Sequence, residues 1–142
     1  MAETNQAETA GSATLKVVVV SPEATLLDDV ADFVALPLFD GEVGIAPNHT
    51  PMIGRLGYGE LRIRRGGVTT RYYVDGGFVQ VADNVVSVLT SRAVPAAQLD
   101  PAVVAEQLEA ARTRPANSPE SFALRDKAQA QTRAQLRVAT KK

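Results

Sequence analysis

A single histidine, His49, stands inside the run Ala46-Pro47-Asn48-His49-Thr50-Pro51, and the chain has no other imidazole. A hydrolytic zinc site takes three protein ligands, usually several of them His or Cys. With one histidine and no cysteine, no metal site is expected, and thiolate catalysis and disulfides are excluded as well. Two carboxylates could act as acid and base. The candidates Asp28, Asp29, Asp32, Asp40 and Glu42 lie in or beside β-like segments among turn formers, where carboxylates ordinarily cap loops or face water. The segment Gly54-Arg55-Leu56-Gly57-Tyr58-Gly59 lacks the lysine and spacing of a phosphate-cradling loop, so its glycines read as turn residues. The residues thus supply no catalytic constellation, no metal site and no cofactor site. What does stand out is stiffness: five glycines between Asp40 and Ile63 permit unusual dihedrals, and Pro47 and Pro51 lock the loop around His49. A fixed loop on a β-scaffold suits a binding surface, and an elaborate turn within a sandwich reads equally well.

The elements that must hold this loop change character along the chain. Of 142 residues, 45% are hydrophobic and 22% charged, the balance of a folded globular protein. A net charge of −1 and a pI near 5.8 argue against nucleic acid as a partner. Apolar runs such as Val17 to Val20 are far shorter than a membrane span requires. Residues 1–14 hold Glu3 and Glu8, no basic residue and no apolar stretch; they lack the features of a signal peptide and read as a disordered polar tail.

From Leu15 to Val94 the pattern is short and β-like. Leu15–Ser21 is rich in valine, and Thr25 to Leu38 mixes β-branched and apolar residues with Asp28, Asp29 and Asp32 and is closed by Pro37. Glu60 to Arg64 alternates strictly, with Leu61 and Ile63 pointing one way and the charges the other. Gly66-Gly67 supplies a hairpin turn. Val68–Asp75 follows, Gly76-Gly77 interrupts, Phe78–Ala82 resumes, and Val85–Ser91 is the last strand. This spacing predicts a flattened antiparallel β-sandwich or barrel over residues 15–95.

Beyond Pro95 the chain turns to helix formers. Asp100 before Pro101 and Ser118 before Pro119 are two helix starts of one design, an N-cap acceptor followed by proline. They predict helices over 101–113 and 119–139, joined as an antiparallel hairpin across the breaker Thr113 to Asn117. The expected anchors are Val104, Leu108 and Ala111 on the first helix, and Phe122, Leu124, Leu136 and Val138 on the second. These are few for so long a segment. An ordinary helical lid and a hairpin that detaches to bind elsewhere both fit this pattern.

The run Asp40-Gly41-Glu42-Val43-Gly44-Ile45-Ala46-Pro47-Asn48-His49-Thr50-Pro51-Met52-Ile53, followed by Gly59-Glu60-Leu61-Arg62-Ile63, resembles the signature of the epsilon subunit of bacterial and chloroplast F-type ATP synthases. Gly76-Gly77-Phe78-Val79-Gln80-Val81, Asn84 to Leu89 and Ala134-Gln135-Leu136-Arg137-Val138 continue the likeness in order, over about residues 15–140. The resemblance implies a non-catalytic rotor subunit that couples proton flow to ATP synthesis and restrains ATP hydrolysis. It also implies the cytoplasmic face of the bacterial plasma (inner) membrane, with residues 15–95 binding the gamma subunit and the c-ring loops. Carried over by position, Glu42, Asn48, His49, Thr50 and Met52 are the contact residues.

Residues 96–142 are, by the same resemblance, the regulatory hairpin, whose second helix extends into the alpha–beta ring. Arg125, Lys127, Arg133 and Arg137, with Lys141 and Lys142, outnumber Glu120 and Asp126 there, and the last third of the chain carries +3. That sign suits acidic residues of the beta subunit, although the helix dipole alone also favours basic helix ends. Some relatives bind ATP through a Leu/Ile-Asp-x-x-Arg-Ala motif. This chain has Leu99-Asp100-Pro101-Ala102-Val103-Val104, with valine in the arginine's place, so the motif reads as vestigial and ATP binding as weak or absent. A free-standing binding module is disfavoured by an aromatic content of 5% and no tryptophan. A small hydrolase lacks its constellation.

Overall fold

A computed structural model describes residues 14–141. The polar tail read over residues 1–14 lies outside the described residues except for Thr14, and so does Lys142. Eight strands precede two helices: β1 Leu15–Val20, β2 Thr25–Ala31, β3 Phe33–Leu38, β4 Gly41–Ile45, β5 Met52–Arg65, β6 Val68–Ala82, β7 Val85–Leu89 and β8 Ala93–Pro95. A short 3-10 turn at Ala96–Gln98 leads to α1, Pro101–Arg112, and then α2, Pro119–Thr140.

The strands pair as one open sheet in the order β2-β1-β7-β6-β5-β3-β4, with β8 added to β6. Every pairing is antiparallel except β1 with β7, which is parallel. The sheet folds over a single core. Leu15, Val17 and Val19 of β1 alternate inward to meet Val34 and Leu36 of β3, Ile45, Leu61, Ile63, Val74, Val79, Val81, Val86 and Val88. Alternation at period two supplies this face, and its burial is the main drive for folding.

The long hairpin β5–β6 is the backbone of the domain. Its register is continuous from Met52 opposite Val81 to Arg65 opposite Val68. Gly66 and Gly67, at φ +58° and +81°, close it with the left-handed turn whose twist matches the strands. Asp32 caps that turn, accepting from the N–H of Gly66 at 2.7 Å. Three sequence expectations change. The strand read over Val85–Ser91 ends at Leu89 and is not the last, because Ala93–Pro95 pairs with β6 as β8. Thr25 to Leu38 is two strands broken at Asp32, and Gly76-Gly77 bends β6 without interrupting it.

The helices begin where their caps predict. Asp100 accepts from the N–H of Ala102 at 3.0 Å. Ser118 accepts from the N–H of Ser121 at 3.1 Å, while the Ser121 hydroxyl accepts from the N–H of Ser118 at 2.9 Å. Each helix ends within one residue of expectation. The anchors differ more. Val104, Ala111 and Val138 are buried, but Phe122 and Leu124 stand in solvent at 46% and 53% exposure. Ala134 and Gln135 take the buried places that the apolar pattern assigned to those two residues.

Candidate functional site

The stiff loop after β4 is built as its composition suggests. Asn48 sits at φ +67°, a left-handed conformation that asparagine tolerates. The N–H of His49 returns to the Ala46 carbonyl at 3.2 Å, and its Nδ1–H donates to the Thr50 oxygen at 2.7 Å. His49 is half-buried, Asn48 and Thr50 are exposed, and Met52 packs partly against the core. With Pro51, Asp83 and Asn84, Asn48 and His49 line an open hollow of about 430 Å³. Among the described residues no metal-binding group of His, Asp and Glu is gathered.

Glu42 is not part of this cluster. It follows Gly41 at the start of β4 while the loop follows the strand's other end, and it pairs with Arg62 through contacts of 2.9 and 3.3 Å. The structure therefore separates Glu42 from Asn48–Met52 by the length of a strand, and groups it with α2.

Behind the loop, on the outer face of the sheet, Val18, Val20, Ile53, Phe78 and Leu89 line an apolar groove of about 420 Å³. Ile53 is 78% exposed. β1 and β7 turn alternate valines inward, so Val18 and Val20 are left facing this groove. An exposed contiguous apolar surface of this kind marks an interaction site. The sequence signal for it was the second valine register of β1, overshadowed by the first.

α2 lies across the opposite side of β5–β6 along a narrow and largely polar seam. Its apolar part is Ala134 and Val138 against Tyr73, with Tyr58, Ala96 and Leu99 at the margin. The Tyr73 hydroxyl donates to Asp75 at 2.7 Å. Burial, then the Asp75 carboxylate, holds that phenol far above its ordinary range, so it stays a donor. Gln131 donates to both oxygens of Asp75 at 3.0 and 3.1 Å. At the helix end Glu60 receives Arg71, Arg62 at 3.1 Å and Lys141 at 2.8 Å. Arg71 in turn donates to the carbonyls of Val138 and Lys141 at 2.8 and 3.3 Å. A cation there meets the negative end of the helix dipole. The sequence reading set Glu60 among outward charges. It is buried because α2 covers the second face of β5, which alternation along one strand cannot reveal.

The four basic candidates of α2 do not converge in this arrangement. Arg125 stacks on Phe122 at 4.9 Å, and Arg133 donates to Gln129 at 3.0 Å. Lys127 overhangs a groove lined by Phe39, Arg55, Tyr58 and Asp75. Arg137 faces the Glu42–Arg62 side. At roughly 100° per residue, Arg133 and Arg137 share a flank, while Arg125 and Lys127 fall elsewhere on the helix. Leu99 and Asp100 have structural occupations, the one packing beside Tyr73 and the other capping α1.

A family model described as the ATP synthase Delta/Epsilon chain beta-sandwich domain matches residues 14–96, more than half of the chain. An ATP synthase epsilon chain of Rhodopirellula baltica is 50% identical over 124 residues, 87% of this chain and 97% of that one. The chain belongs to the ATP synthase epsilon chain family. It is a non-catalytic rotor subunit of the F-type ATP synthase, with no active site of its own. Another epsilon chain, from Desulfitobacterium hafniense, is 43% identical over 91 residues, 64% of this chain and 67% of that one.

The fold recurs at lower identity in two solved assemblies. A chain of the Euglena gracilis mitochondrial ATP synthase OSCP/F1/c-ring structure matches with a TM-score of 0.79 at 24% identity, covering 86% of this chain and 79% of that one. A chain of the Tetrahymena thermophila mitochondrial ATP synthase central stalk/c-ring structure matches at 0.67 and 17%, covering 89% and 96%. Family membership makes the chain a peripheral subunit of its complex, and among the described residues no helix is long and apolar enough to cross a membrane.

Proposed function

We propose that residues 15–95 seat the subunit on the rotor, and that residues 96–142 form a releasable hairpin that restrains ATP hydrolysis. The gamma subunit covers the apolar groove around Ile53 and Phe78 and meets the loop from Asn48 to Met52, while Glu42 reaches the polar c-ring loops. A torque-bearing contact needs a stiff surface, which Pro47 and Pro51 and the hydrogen bonds between Asn48 and Asn84 supply. The complex sits on the cytoplasmic face of the bacterial inner membrane.

The observation that carries the hairpin reading is the thinness of its seam. α2 brings only Ala134 and Val138 as buried apolar anchors, while Phe122 and Leu124 stay exposed. Burial of two small side chains contributes little against the entropy of ordering a hairpin. Once extended, the helix offers Arg125, Lys127, Arg133 and Arg137 to acidic residues of the beta subunit. ATP is not a ligand of the hairpin in this reading, since Asp100 is engaged as a cap and Val103 offers no cation. Cutting the chain after Pro95 should raise ATP hydrolysis by the assembled complex while co-purification with gamma persists. Unchanged hydrolysis rejects the restraint, and loss of gamma binding rejects the seating surface.

A further inference from the structure

Resting on the reading of the hairpin as releasable, we infer that Glu60 is a latch: a sheet carboxylate that grips the end of α2 through Lys141 and Arg71 and stays neutralised when the helix departs. Its side chain is 8% exposed. One oxygen takes Lys141 Nζ at 2.8 Å and Arg62 Nη1 at 3.1 Å, and the other takes Arg71 Nε. Arg71 carries the grip further, because its two remaining nitrogens hold the carbonyls of Val138 and Lys141. The other charges facing this cluster are Glu42 on β4, paired with Arg62, and Arg137 on α2, which line the same small cavity of about 200 Å³.

Two features distinguish a latch from an ordinary buried ion pair. Removing the only partner of a buried charge strands it, at high cost. Here α2 is itself the cover, so its departure brings Glu60 to water, and Arg62 and Arg71, both on the sheet, stay paired with it. Lys141 is already half in water, with 50% of its side chain exposed, and returns there easily. The grip is also electrostatic where the rest of the seam is thin, so it weakens with salt, which a contact between Tyr73 and Val138 does not. The sheet thus offers a standing acceptor for the last turn of the helix, closed and opened without leaving a bare charge.

The test is amide hydrogen exchange on the isolated full-length chain and three variants: Lys141→Ala, Glu60→Gln and the double. Lys141→Ala removes a half-exposed side chain and leaves the sheet intact. It should speed exchange at residues 134–138 by about three- to tenfold, with β5 and β6 amides unchanged. In the double variant, the Lys141 change should add nothing to the effect of Glu60→Gln. Raising salt from about 0.05 to about 0.5 M should speed exchange of the same amides more in wild type than in Lys141→Ala. An unaltered α2 in Lys141→Ala, additive effects in the double, or equal acceleration of the β5–β6 amides overturns the latch. Failure of the restraint reading is separately visible: it leaves this coupling intact while hydrolysis by the complex ignores the removal of residues 96–142.

Discussion

Asn48 and Asn84, 36 positions apart, hold each other's amides: the N–H of Asn48 donates to Asn84 Oδ1, and Asn84 Nδ2 donates to Asn48 Oδ1 at 3.2 Å. Both residues are left-handed, at φ +67° and +61°, and the Asn84 carbonyl also receives the N–H of Lys16 at 2.8 Å. The β6–β7 turn is therefore the outside anchor of the His49 loop, while Pro47 and Pro51 stiffen it from within.

Asn84→Ala should cost about 2 kcal/mol, because it deletes both bonds and puts alanine into a left-handed conformation that asparagine tolerates better. Asn84→Gly should cost about 1 kcal/mol, since glycine accepts that backbone and only the bonds are lost. Urea unfolding measures both. Equal stability of the two variants would mean that the backbone conformation contributes nothing, and equality with wild type would mean the same for the bonds.

Glu60 should give the protein an acid limb. Burial alone pushes its carboxyl up, but hydrogen bonds from Lys141, Arg71 and Arg62 together outweigh this and hold it below its ordinary 4.5. A lowered value in the folded state means that the ionised form favours folding. Its contribution is fully present above the unfolded value and fades as pH falls through the folded one. Urea midpoints measured from about pH 7 to pH 3 should fall more steeply for wild type than for Glu60→Gln. Parallel curves would remove Glu60 from the acid response.

Two glycines should separate strain from space. A Cβ on Gly77, at φ +115°, meets the Leu89 oxygen at 1.9 Å, whereas one on Gly66, at φ +58°, meets nothing within 4 Å. Gly77→Ala should therefore cost about 3 kcal/mol or more, because β7 must move away. Gly66→Ala should cost about 1–2 kcal/mol from backbone conformation alone. Similar unfolding free energies for the two would contradict the close approach of β6 and β7.

The sequence by itself determined whatever depends on near neighbours. The Gly66-Gly67 turn, the inward alternation of Leu61 and Ile63, and the caps at Asp100 and Ser118 are set within a few residues by backbone sterics and local hydrogen bonds. They appear where the chain pattern puts them. The signature around His49 carried the family with it.

Only the tertiary structure decided which surfaces are covered. β1 lies parallel to β7 although some 65 residues separate them, a pairing that long-range packing selects and local pattern does not specify. Glu60 reads as an outward charge on its own strand and is buried because α2 crosses there. Phe122 and Leu124 read as anchors and are left in water because the seam runs along Gln131, Ala134, Gln135 and Val138 instead. Burial is a property of two surfaces meeting, so one strand or one helix, read alone, specifies only half of it.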